Sequence, residues 1–258
     1  MTASSLDRTA PGLAPDKPFR PNHPWDRNAL LALMALIWLG VLGGFVPEIV
    51  RHVAKHEKPF PWIIHVHAAF FMGWLVLLTT QVGLIRLRRP DLHRRLGAMM
   101  AFWAAAMIVV GPATAVVMDR LHTAEGDPDA LAFFAVQGSD ILSFTVLTGA
   151  ALLLRGQASA HKRLMLLGTL YITDAGFARL LGEPLSHLFG GGEVGRFAGL
   201  YGGVDVLVLG LGAYDLITRR RLHPAYLAGV AWVALSQVGA VTALFSPAWK
   251  PLVARLIG

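Results

Sequence analysis

The chain has 258 residues, 55% of them hydrophobic and only 15% charged, with a mean hydropathy of +0.54, a formal charge of +7 and no cysteine. A soluble surface needs about 25% charged residues, so this balance excludes an ordinary soluble enzyme and a disordered chain, and it implies a membrane protein. The missing cysteine excludes disulfide frameworks, thiolate metal sites, cysteine nucleophiles and covalent c-type haem. Chemistry falls to histidine, carboxylate and arginine. In a lipid-embedded chain the positive charge marks loops on one side rather than nucleic acid, and no Walker, dinucleotide, G-x-S-x-G or H-E-x-x-H pattern occurs.

Residues 1–27 are polar and contain Pro11, Pro15, Pro18, Pro21 and Pro24 without an apolar run. They predict a disordered cytoplasmic arm, no cleaved signal, and a first span that acts as an uncleaved anchor. Seven windows then approach the roughly 20 residues that a helix needs to cross a bilayer: Ala29–Val46, Ile63–Ile85, Leu96–Met118, Leu131–Leu154, Leu164–Leu181, Phe197–Ile217 and Ala225–Phe245. Without water to satisfy the backbone each must be helical, so the expected fold is all-α, a seven-helix transmembrane domain over residues 28–246. The fifth window is short and carries Asp174 and Arg179. The sixth is rich in glycine (Gly195, Gly199, Gly202, Gly203, Gly210, Gly212), which permits close helix approach and predicts a central position. Residues 247–258 form a short tail on the outer side.

Fifteen of the 23 Lys and Arg residues fall in the arm and in the loops after spans two, four and six. The positive-inside rule then puts the N-terminus in the cytoplasm and the C-terminus outside. The outer side carries acids and histidines, among them His52, His56, His122 and His187, which read as a solvated surface. Trp25, Trp62 and Trp249 fall at the expected interfaces.

Ionisable groups inside a membrane are costly and mark sites. Asp140, Asp174 and Asp205 come from three helices and lie roughly 10 to 14 Å below the outer surface at 1.5 Å per residue. Arg179, His65 and His67 lie slightly above them. His65 and His67 point about 200° apart, and the stripe His67, Phe71, Trp74, Leu78, Gln81 favours His67 as the inward one. Asp140 shares a polar stripe with Gln137, Ser143 and Thr148, whereas Asp215 reads as a local pair with Arg219.

Imidazole plus carboxylate suits Zn, Fe or Mn. One expectation is therefore a metal-dependent membrane enzyme. In it His67 (or His65) and two of Asp140, Asp174 and Asp205 are ligands, the third aspartate is a base, and Arg179 holds an anionic group of a lipid-like or quinone-like substrate. A second is proton coupling in a small-molecule transporter or sensor, since close carboxylates cannot all ionise. A third is buried ion-pair cement, as in a structural subunit of an oligomer or larger membrane complex. Histidines 93, 161 and 223 share a level near the cytoplasmic side, where two facing imidazoles would serve haem b in an electron carrier, or where all three anchor the helices at the interface.

A short repeat links two of these. Leu92-His93-Arg94-Arg95-Leu96 precedes span three, and Ala160-His161-Lys162-Arg163-Leu164 precedes span five. These motifs continue to Gly97 in one case and, in the other, to Met165 and, fourteen residues on, Arg179. With His67, Trp74 and Gln81 they resemble a family of bacterial multi-pass membrane proteins of unknown function, over about 120 residues from span two to span five. That resemblance implies a multi-helix protein of the bacterial inner membrane and brings no activity with it. A fainter resemblance to transmembrane b-type cytochromes rests on His93-x-x-x-Gly97.

Overall fold

The computed structural model describes residues 19–127 and 129–257, and every regular element among them is helical. In chain order the helices are α1 (Asp26–Ala54), α2 (Trp62–Arg86), α3 (Pro90–Ala124), α4 (Ala130–Leu153), α5 (Ala158–Ile172), α6 (Asp174–Leu188), α7 (Gly192–Arg219), α8 (Pro224–Phe245) and α9 (Trp249–Ile257). Six of them are individually long and apolar enough to span a membrane, and α5 with α6 forms a seventh, bent candidate. Their outward faces are apolar, as Phe102, Val109, Leu153 and Leu235 show, while the polar side chains named below turn inward. This is a multi-pass helical membrane bundle.

The expected fifth span, a single short helix over residues 164–181, is corrected to two helices that meet at Thr173 with a 56° bend. No proline causes the break. Side chains take over the backbone locally instead. The Thr173 hydroxyl donates to the Leu170 carbonyl at 2.8 Å, the Asp174 carboxylate accepts from the Ala175 amide at 2.6 Å, and the Gly176 amide turns back to the Thr173 carbonyl at 3.1 Å.

Glycines let the tilted α6 lodge between α1 and α7. A Cβ on Gly44 of α1 would collide with the Gly176 carbonyl of α6. A Cβ on Gly182 would stand 2.8 Å from the Gly199 carbonyl oxygen of α7, and one on Gly199 would stand 2.9 Å from that of Gly182. Small residues at these crossings allow backbone contact in lipid.

The glycine-rich α7 is therefore a close partner of α6 but not the central helix that the sequence predicts. Val206, Leu209, Leu216 and Ile217 on α7 face outward. The centre is α5, in which every residue from Arg163 to Tyr171 is buried.

Both ends depart from plain tails. Of the arm expected over residues 1–27, residues 1–18 lie outside the described residues, and residues 19–27 make specific contacts with the helix ends. At the other end α9 buries Val253 and Ile257, and Arg120 of α3 donates to the Ile257 carbonyl.

Candidate functional site: a carboxyl pair at the broken span

Asp140 on α4 and Asp174, the first residue of α6, meet in the interior, with their carboxyl groups close enough to act on each other. The break in the fifth span produces this meeting. It ends α5 against α4 and turns the Asp174 side chain into the bundle, where it is 3% exposed. Asp205 on α7 lies near enough to act on the Asp174 charge, and its own carboxylate accepts from Gln237 Nε2 of α8 at 2.8 Å.

Two buried tyrosines complete the wall. Tyr171 and Tyr201 lie with ring centroids 6.1 Å apart. The Tyr171 hydroxyl hydrogen-bonds Ser139 at 2.7 Å, and Ser139 also donates to the Ser236 carbonyl. Asp140 Oδ1 and the Tyr201 hydroxyl are buried with no protein partner. The Tyr201 hydroxyl can donate its proton, and Asp140 Oδ1 can accept one.

A fourth carboxylate escaped the sequence reading. Asp119 is 1% exposed near the end of α3, with the Gln137 side chain of α4 close beside it. Asp119 Oδ2 and Gln137 Oε1 are buried without a protein partner. The third apolar window stops at Met118, which left Asp119 in a loop, but α3 runs on to Ala124. The signal available was Gln137, three residues before Asp140 and on the same face of α4.

The expected metal centre is not assembled. Among the described residues no group of three or more histidines and carboxylates stands close enough to hold an ion. His65 is exposed, and His67 stacks on Phe71 at 4.0 Å, with its Nδ1 buried and unpartnered. Arg179, expected to hold a substrate anion, sits at the exposed surface. Its Nε pairs with Glu48 of α1, and its guanidinium lies over Phe45 at 4.5 Å.

A second polar centre lies at the face of the bundle that carries the arm and the α2–α3, α4–α5 and α7–α8 turns, here the N-terminal face. Asp215, read from sequence as a local partner of Arg219, is fully buried and gives both carboxylate oxygens to Arg163, at 2.6 and 2.5 Å. Arg219 reaches it only at 3.4 Å and binds both oxygens of Asp26 at 2.9 Å. Lys162 and Tyr214 also bind Asp26, each at 2.7 Å. The Phe19 ring from the arm lies against the Arg163 and Arg219 guanidiniums at 4.6 and 5.5 Å.

Of the three histidines considered for haem, His93 and His161 meet with ring centroids 6.4 Å apart and planes at 88°. His161 Nδ1 is held by the Ala151 carbonyl at 2.8 Å, and Gln81 donates to the His93 carbonyl at 3.2 Å. His223 does not join them. Its Nδ1 accepts from the Ala225 amide at 3.1 Å and so caps α8, with Phe19 edge-on at 4.7 Å.

His223 lies between α7 and α8, where burial first, and then the Arg163 guanidinium, hold its imidazole below the ordinary value. A lowered folded value means that the unfolded chain takes up the proton first. The stabilisation is then complete above the unfolded value of about 6.5 and is lost as pH falls through the folded one. Thermal unfolding in detergent should therefore lose more stability between neutral and mildly acidic pH in the wild type than in His223→Asn, whose side chain caps without titrating.

No protein-family model matches the chain, and no curated protein or solved structure matches it.

Proposed function

We propose that the protein conducts protons through the Asp140–Asp174 pair as the proton-handling unit of a small-solute carrier. The observation that carries this reading is the close approach of two buried carboxyl groups inside the bundle. Two carboxyl groups this close in a buried site cannot both ionise, so one proton is held by the pair. Intramembrane carboxylates of this kind serve proton relays, and discontinuous spans recur at the midplane binding sites of secondary transporters.

The unpartnered acceptors supply the route. Asp119 Oδ2, Gln137 Oε1 and Asp140 Oδ1 succeed one another from the C-terminal end of α3 toward the pair. Water among them would satisfy each and pass a proton inward. With the N-terminal face in the cytoplasm, as its arginines and lysines imply, this route would lead toward the outside.

The test is proton flux into liposomes holding the purified protein, driven by an imposed pH gradient with the membrane potential clamped. Flux above that of protein-free liposomes is expected. Asp119→Asn should slow it roughly tenfold, equivalent to about 1.4 kcal/mol on the barrier. Flux equal to that of empty liposomes in every solute condition contradicts the proposal.

A further inference from the structure

The broken span has a consequence at the N-terminal face as well. α6 fills the space between α1 and α7 in the other half of the bundle, while α5 packs on α4 and α8. The halves of α1 and α7 nearest the N-terminal face are thereby left apart, with α5 behind them, and between them lies a cavity of about 290 Å³.

Its walls are apolar, formed by Leu30 and Leu33 of α1, Leu166 of α5, and Leu207 and Leu211 of α7. Toward the N-terminal face its lining turns polar and charged, with Asp26, Lys162, Arg163, Tyr214 and Asp215. Leu36 and Gly210 line its side and are exposed, and a Cβ on Gly210 would meet nothing within 4 Å. The cavity therefore opens sideways, toward the bilayer.

Charge selects the occupant. Around this charged end the cations Lys162, Arg163 and Arg219 pair with two carboxylates, Asp26 and Asp215. Among these five side chains the cations exceed the carboxylates by one. The Lys162 ammonium has three protons, and the Pro21 carbonyl and Asp26 take two of them. The volume lies at the lower edge of the range that holds a whole small ligand, roughly 300–1,000 Å³, so it suits a head and the first part of one chain whose remainder leaves through the Gly210 gap. Basic pockets between transmembrane helices hold anionic lipid headgroups by the same combination.

We propose that this cavity binds an anionic phospholipid of the leaflet at the N-terminal face, with the headgroup on Lys162 and one acyl chain along Leu33 and Leu211. The assignment does not depend on the carboxyl pair, and its test reads a different signal.

The test uses the full chain in liposomes that contain phosphatidylglycerol with a photoreactive diazirine on one acyl chain, and in parallel liposomes with phosphatidylcholine carrying the same group. After illumination, mass spectrometry locates the labelled peptides. Phosphatidylglycerol should label residues 29–36 and 207–214 roughly tenfold more than phosphatidylcholine, the effect of one charge-assisted hydrogen bond. Lys162→Gln should remove that preference, and Gly210→Trp should block labelling by closing the gap, with proton flux retained. Leu33→Phe narrows the cavity from the other wall and serves if Gly210→Trp does not fold. Equal labelling by the two lipids, or labelling spread around the bundle and indifferent to Gly210→Trp and Leu33→Phe, overturns the proposal.

Discussion

Asp174→Asn and Asp140→Asn are each expected to stop proton flux, by roughly 10²-fold or more, while the protein still folds and purifies as a bundle. Each change removes one of the two groups proposed to share the proton, but an amide keeps the shape and can still hydrogen-bond the remaining carboxyl group. The fold should therefore survive a change that the proton transfer does not. Asp205→Asn is the comparison. That carboxylate is already held by Gln237, so its loss should slow flux less than loss of either paired aspartate. The measurement is the initial rate of dye-detected acidification in liposomes. Full flux in Asp174→Asn would remove the pair from the pathway.

The second large effect is on stability. Arg163→Ala should destabilise the bundle by about 3–5 kcal/mol, the cost of stranding a buried carboxylate by deleting its partner. Asp215 is 0% exposed and receives two of its hydrogen bonds from Arg163, and Arg219 at 3.4 Å is too far to replace them. The double change Arg163→Met with Asp215→Leu should recover most of the loss, because a buried ion pair is worth little more than apolar side chains of similar volume. Thermal unfolding of the single and double variants gives the coupling. Equal destabilisation by the single and double variants would contradict this role.

The contrast between Arg163 and Arg179 shows where the sequence was legible. Hydropathy marks apolar stretches without regard to neighbours, so the six unbroken spans could be read directly. Partner identity could not. Arg163 counts as one more loop cation in an orientation rule, yet α5 begins at Ala158 and carries that side chain into the core. Arg179 looks intramembrane, yet the tilt of α6 brings it to the surface beside Glu48.

The break at Thr173 was hidden for a physical reason. Neither proline nor glycine marks it, and the interruption comes from the Thr173 and Asp174 side chains competing for backbone groups, which many continuous helices tolerate. The central place of α5 was hidden as well. A helix apolar on all sides gives no facing signal, whereas most of the conspicuous glycines of α7 record where α6 crosses it, and Gly212 makes room for Tyr226 of α8. Asp119 was lost by one residue at a window edge, the least reliable part of a span assignment.

Infrared difference spectroscopy at neutral pH, comparing the wild type with Asp140→Asn and Asp174→Asn, asks whether a proton resides in the pair without any need to know a solute. A carbonyl band of a protonated carboxylic acid should be present in the wild type and missing from both variants. A wild-type spectrum without that band, or one in which the band persists unchanged in both variants, would contradict a proton shared between Asp140 and Asp174.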